Sequence, residues 1–179
     1  IFDADGALGT DRILEDTTAA AGGIDTLDFS GTTTLGIKVD LSSPLVQTVN
    51  TTTLRLTLDA NSIENVIGGS QNDILLGSPF SNVLKGGPGD DSLDGGDGND
   101  TLDGGADGDI LNGGPGDETY VFADGWGGDT IVEAATGGTD TMDFSAVTTP
   151  LVFTVNASVT VTSGFNSGTH AADNVERLL

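Results

Sequence analysis

The sequence predicts an all-β chain wound as a right-handed parallel β-roll, on three observations. Residues 68–132 repeat with a period of nine. One apolar residue returns at the eighth place of each period, and no segment shows a convincing helical period. The units read GGSQNDILL (Gly68 to Leu76), GSPFSNVLK (Gly77 to Lys85), GGPGDDSLD (Gly86 to Asp94) and GGDGNDTLD (Gly95 to Asp103). GGADGDILN (Gly104 to Asn112) and GGPGDETYV (Gly113 to Val121) follow, then the extra pair Phe122-Ala123, then DGWGGDTIV (Asp124 to Val132).

Each half of the unit has its own reason. Places one to six are polar and rich in Gly, which accepts the torsions of a tight turn. Places seven to nine are short and β-prone, and strand alternation sends the eighth side chain inward. Those inward residues are Leu75, Leu84, Leu93, Leu102, Leu111, Tyr120 and Ile131. Two nonapeptides complete one coil, so like places stack every 18 residues. The product is a thin aliphatic core between two rows of acidic turns. A linker rich in Gly and Asp would lack the strict return of apolar residues.

Composition says what the turns need. The chain has 179 residues, 28 of them acidic and 5 basic, for a net charge of −23. Eighteen of its 28 Gly lie between Gly68 and Glu133, with Lys85 as the one basic residue there. Such a charge argues against a nucleic-acid surface and against an anionic membrane. No apolar run approaches the ~18 residues of a membrane helix, so no membrane insertion is expected. Absence of Cys removes disulfides, Cys-ligated metals and Cys catalysis. A compact chain of this charge repels itself, and bound divalent cations are the natural neutraliser. The chain opens Ile1-Phe2-Asp3, without an initiator Met or a secretion signal, and is expected to be an internal block of something longer.

The repeat also points to which cation. Ca²⁺ takes six to eight oxygens in a pliable cage, whereas Mg²⁺ dehydrates reluctantly and dislikes carbonyl-rich cages. A Gly-rich turn aims carbonyls inward, here from Gly86, Gly87, Pro88 and Gly89, from Gly95, Gly96, Asp97 and Gly98, and from Gly104 and Gly105. The sixth place adds a short carboxylate. One edge of the roll would carry Asp73, Asp91, Asp109 and Asp129, the other Asn82, Asp100 and Glu118. The neutral Asn and the longer Glu predict weaker outer sites on that second edge. Without Cys or clustered His, Zn²⁺ and Cu²⁺ have no ligand set.

Three parts result: a strand-rich flank over 1–67, the nonapeptide roll over 68–133, and a second strand-rich flank over 134–179 that begins a further block. The flanks echo one another. GGIDTLDFS at Gly22 returns as GGTDTMDFS at Gly137, 115 residues on. Segments 35–41, 45–49, 54–58, 151–155 and 159–161 alternate like strands and are expected to extend the roll or pack on it.

The succession GGIDTLDFSG, SIENVIGGSQNDILLG and NVLKGGPGDDSLDGG resembles the C-terminal calcium-binding β-roll of the serralysin metalloproteases, and the nonapeptide is similar to that of RTX proteins. The resemblance covers nearly the whole chain. It implies a roll that folds on Ca²⁺ outside a bacterium, after export unfolded through a type I route. It further implies an ion between Gly22 and Asp25 on one side and Ser62 and Glu64 on the other. A second would lie between Gly137 and Asp140, and Asn174 and Glu176. Ser62 and Asn174 stand where that family has Thr.

The protease half of that family has no counterpart here. There is no His-Glu-x-x-His, no Gly-x-Ser-x-Gly elbow and no phosphate loop, and the only His is His170. The reading is a non-catalytic calcium-binding module of a secreted or cell-surface protein of adhesin or surface-layer type. Its partners would be neighbouring RTX blocks of the same parent chain and an unidentified surface glycan or protein. The alternative is a targeting, stabilising or carbohydrate-binding appendage of a secreted protease or epimerase, with Trp126 as its aromatic candidate for sugar.

Overall fold

A computed structural model describes residues 10–12, 23–49, 55–58, 63–133, 138–155, 159–163, 166–170 and 175–178. All regular structure among them is β-strand. Before the repeats come β1 (Thr10–Arg12), β2 (Thr26–Asp28), β3 (Lys38–Asp40), β4 (Gln47–Thr48), β5 (Arg55–Thr57) and β6 (Asn65–Ile67). The repeats supply β7 (Ile74–Leu76), β8 (Val83–Pro88), β9 (Ser92–Asp94), β10 (Thr101–Ala106), β11 (Ile110–Asn112), β12 (Thr119–Ala123) and β13 (Thr130–Val132). After them come β14 (Asp140–Ala146), β15 (Leu151–Val155), β16 (Val159–Ser163), β17 (Asn166–His170) and β18 (Val175–Leu178).

Consecutive strands of the repeat fall in alternate sheets, as a coil of two nonapeptides requires. One sheet runs β18-β14-β12-β10-β8-β6-β2, parallel throughout. The other runs β15-β16-β17-β13-β11-β9-β7-β3. It is parallel except for β15, β16 and β17, which form an antiparallel meander. A third, small sheet joins β1, β5 and β4. Leu84 pairs with Leu102 and Leu75 with Leu93, both 18 residues on. The chain is therefore a parallel β-solenoid of about four coils.

Longer excursions leave the stack intact. Ile131 pairs with Leu111 across 20 residues, Met142 with Tyr120 across 22, Leu75 with Val39 across 36 and Val66 with Leu27 across 39. The extra length is absorbed between strands, because the ladder and the apolar eighth place fix the pairing.

The core is one side chain wide. Leu75, Leu84, Leu93, Leu102, Leu111, Tyr120 and Ile131 are all at most 4% exposed and share one cluster with Leu27, Val39, Val66 and Met142. The pair Phe122-Ala123 widens this core. Phe122 turns inward, stacks on Phe144 at 4.6 Å and meets Trp126 edge-on at 5.0 Å. Aromatic pairs favour these offset and edge-to-face geometries.

The flanks extend the roll, as their alternation predicts. Strands occur within all five predicted segments, and β3 joins the second sheet beside β7. Strands β2, β6, β14 and β18 fall outside those segments, as do two others, β1 and β17. Their sequences, TDR and NSGTH, lack apolar alternation, and pairing with neighbours defines them instead.

Candidate metal centre

Alternation also decides where the sixth place points. Places six and eight lie two residues apart, hence on the same face of the strand. The carboxylates therefore turn into the roll rather than out along its edges. Asp73, Asn82, Asp91, Asp100, Asp109, Glu118 and Asp129 are each at most 4% exposed, and so is Asp140.

They form two columns. In the first, the amide of Asp73 donates to Asp91 Oδ1 at 2.8 Å, that of Asp91 to Asp109 Oδ1 at 2.8 Å, and that of Asp109 to Asp129 Oδ1 at 3.1 Å. In the second, the amide of Asn82 donates to Asp100 Oδ1 at 2.8 Å and that of Glu118 to Asp140 Oδ1 at 3.1 Å. The sequence reading assigned both columns, but ended the second at Glu118. Asp140 continues it, 22 residues on.

The column heads are also held by the chain, although burial pushes the Asp73 carboxyl up. Asp73 accepts the amides of Ile37 and Gly69, and Asn82 accepts the Ser78 amide while its Nδ2 donates to the Glu64 carbonyl. Further in, one oxygen of each carboxylate is held by the chain and the other is not. Asp91 Oδ2, Asp100 Oδ2 and Asp109 Oδ2 are buried without a hydrogen-bond partner. Such groups are costly unless a partner or ion meets them.

Electrostatics says the same. Burial above all pushes the Asp91 and Asp129 carboxyls up to about 8, and those of Asp100 and Asp109 up to about 6. Neighbouring carboxylates add to each shift, Asp73 and Asp109 in the case of Asp91. Burial, then Asp140, pushes Glu118 up to about 8. The ion pair seen among the described residues, Lys85 with Asp103 at 3.3 Å, lies on the outer face and does not offset this.

The first Gly of three units, Gly86, Gly95 and Gly104, keeps space beside an orphaned oxygen. A Cβ on Gly86 would lie 2.1 Å from Asp91 Oδ2 and 2.5 Å from the Gly104 carbonyl oxygen. On Gly95 it would lie 2.3 Å from Asp100 Oδ2 and 2.8 Å from the Gly113 carbonyl oxygen. Each place thus offers a carboxylate and carbonyls from stacked turns, an all-oxygen set that fits Ca²⁺. Gly87, Gly89, Gly96, Gly98 and Gly105 hold positive φ in the same turns. Asp107 occupies the fourth place in its unit, where four other units have Gly, and holds φ of 81°. Asp tolerates that region better than most residues.

A direct comparison follows. Gly95→Ala should raise the calcium concentration needed for folding about tenfold or more, since a methyl clash of this size costs typically 1–3 kcal/mol. Gly108→Ala should leave it near the parent, because its nearest neighbour would be the Gly128 carbonyl oxygen at 3.5 Å. Circular dichroism during calcium titration measures both, and equal midpoints would refute the cradle.

The flank residues are placed in part. Gly22, Ser62, Gly137 and Asn174 lie outside the described residues. The Asp25 amide donates to Glu64 Oε2 at 2.8 Å, and the Asp25 carbonyl accepts the amide of Asn65 at 3.0 Å. Asp25 and Glu64 therefore meet across 39 residues through the backbone of Asp25. On the other flank, Asp140 pairs with Val175 and Thr141 with Arg177, so Glu176 falls at the irregularity between them. Trp126, the candidate for a sugar contact, is 2% exposed and packs among Phe122 and Phe144.

Sequence reasoning missed Glu133. It follows β13, at the place where a further nonapeptide would begin with Gly, and its Oε1 accepts the Tyr120 hydroxyl. Ligand oxygens of Glu118, Glu133 and Asp140 lie within 4.8 Å of one another. An acidic residue at a Gly place was the signal available.

A parallel solenoid with inward columns of acidic side chains under Gly-rich turns defines a class of protein, the ion-binding β-roll. The family described as RTX calcium-binding nonapeptide repeat (4 copies) matches at residues 67–102, 86–119 and 94–131. The repeats of this chain are RTX calcium-binding repeats, and the roll is a structural calcium-binding module. No curated protein matches the chain.

Proposed function

We propose that the chain is a calcium-driven folding block of a larger secreted or surface-held bacterial protein, of adhesin or surface-layer type. The observation that carries this reading is the pair of buried carboxylate columns, whose inner oxygens Asp91 Oδ2, Asp100 Oδ2 and Asp109 Oδ2 meet no protein donor. A chain with such columns closes only where the cation is abundant, so binding energy becomes folding energy. Millimolar calcium outside a cell would supply it, and scarcity inside would keep the chain extended for type I export. The echo of Gly22–Ser30 at Gly137–Ser145 favours a modular array over a lone appendage. RTX repeats typically occur in secreted bacterial proteins, and among the described residues no helix is long and apolar enough to cross a membrane. The partners proposed are neighbouring RTX blocks and a surface ligand.

Calcium titration after chelator stripping tests the reading. Far-ultraviolet circular dichroism should pass from largely unfolded to β-rich, with Mg²⁺ at equal concentration doing much less. Trp126 emission should shift at the same midpoint, because its ring packs on Phe122 of β12 and Phe144 of β14. A β spectrum unchanged by excess chelator would overturn the proposal.

A further inference from the structure

The strongest feature outside the regular columns lies where the nonapeptide count ends. Glu118, Glu133 and Asp140 are 15 and then 7 residues apart, spacings that belong to no repeat. Glu118 occupies a sixth place, Glu133 follows β13 and Asp140 opens β14. One ligand oxygen from each lies within 4.8 Å of the others.

Three carboxylates at this separation repel one another, and a bound cation would relieve that. The Tyr120 hydroxyl donates to Glu133 and the Glu118 amide to Asp140 Oδ1. Neither reaches the Glu118 carboxylate. That side chain is 1% exposed and points into the group, where no N–H or hydroxyl donates to either oxygen and the carboxyl it meets is that of Asp140. Gly113 keeps the space open beneath it. A Cβ there would lie 2.2 Å from the Tyr120 hydroxyl oxygen, 2.8 Å from Glu118 Cγ and 2.9 Å from Glu133 Oε1.

We propose that Glu118, Glu133 and Asp140, with the Tyr120 hydroxyl over Gly113, form a separate site for a hard cation, calcium in the native protein. It differs from the repeat cages in kind. A repeat cage draws on Gly carbonyls and one short carboxylate per turn. This one gathers three carboxylates and a phenol oxygen, so it carries more charge and suits a trivalent lanthanide as well as Ca²⁺. Oxygen-only donors exclude the softer metals. One ion here ties the sixth repeat to the end of β13 and the start of β14, and so fastens the repeat block to the strands that follow. Glu118 and Asp140 also stand in the second column, and Glu133 with Tyr120 sets this site apart from it.

Glu133→Gln is the clean variant, because it removes a charge without touching a repeat position. The calcium-loaded parent and variant are freed of excess metal and their bound ions counted. Each is also titrated with terbium, with excitation of Tyr120, the only Tyr, and Tyr120→Phe as the control for light absorbed by Trp126. Glu133→Gln should hold one ion fewer per chain and lose the Tyr-excited emission. An unchanged ion count with unchanged emission overturns the site. Loss of ions from the repeats, with Glu133-dependent terbium emission kept, would uphold it while removing the reading of the columns. Should the variant fail to fold, the calcium-loaded parent decides. A cation about 2.3–2.6 Å from the three carboxylates supports the site, and a cluster joined by hydrogen bonds alone refutes it.

Discussion

Asp91→Ala is expected to push the calcium midpoint for folding far upward, whereas Asp97→Ala and Asp103→Ala stay near the parent. Asp91 stands inside a column of four, with Asp73 before it and Asp109 after it. Its Oδ1 holds the Asp73 amide and its Oδ2 faces the cradle beside Gly86. Removing it strips an inner ion of a ligand, orphans an amide and leaves its neighbours' charges opposed. Breaking one member of a buried charge pair costs roughly 3–5 kcal/mol, a fair analogy for the loss. Since each 1.4 kcal/mol or so is tenfold in binding, the midpoint should move by about two orders of magnitude or more. Asp97 is exposed in its turn, and Asp103 faces Lys85 on the outer face. Asp91→Asn separates the causes, because it keeps an acceptor for the Asp73 amide and changes the charge alone. Equal midpoints for the Ala variants would mean that the carboxylates act as a diffuse acidic cloud, and the stacked columns would have to be abandoned.

Acid should partly replace calcium. Burial raises Asp91, Glu118 and Asp129 to about 8, and Asp100 and Asp109 to about 6, against roughly 4 for the same groups in an unfolded chain. Between those limits the folded chain binds more protons than the unfolded one, so its stability rises as pH falls. The calcium-free chain should therefore gain β structure between pH about 8 and 5. With calcium present the direction reverses, because protons compete for the same oxygens and the calcium midpoint climbs as pH falls. Stopping near pH 5 keeps clear of the isoelectric point near 4.1. The acid gain should persist in high salt, which screens the exposed charges far more than the buried ones. A flat β signal between these limits, in chelator, would show that the column carboxylates are ionised without hindrance.

The repeat made much of this legible. An apolar residue at every eighth place and an Asp, Asn or Glu at the sixth announce the coil, the core and the two columns, since period two and period 18 are both visible as letters. What the letters do not show is direction. That Asp91 and Asp100 point inward follows only when places six and eight are put on one face of a real strand. Asp140 was legible as an acidic residue of the flank, but not as the continuation of Asn82, Asp100 and Glu118. The inserted pair and residues 133–139 break the nine-residue count before it. Glu133 was hidden for the same reason. Strand β17 was hidden for another: NSGTH has no apolar alternation, and its pairing with β13 and β16 comes from backbone amides that every sequence has.

The fifth place carries ladders of its own, and they run the other way. The Asp90 amide donates back to Asn72 Oδ1 and the Gly108 amide back to Asp90 Oδ1. On the opposite turns, the amides of Asn99, Asp117 and Thr139 donate back to Ser81, Asn99 and Asp117. At the sixth place the amides donate forward, from Asp73 to Asp91 and from Asp91 to Asp109. Adjacent coils are thus stitched by antiparallel threads, one outside at the fifth place and one inside among the proposed ion ligands. Under tension along the stack, a coil cannot leave its neighbour by releasing one thread alone. Depleting calcium slackens the inner thread first and leaves the outer one as a hinge, so a pulled array should open coil by coil from an end, with calcium setting the force of each step.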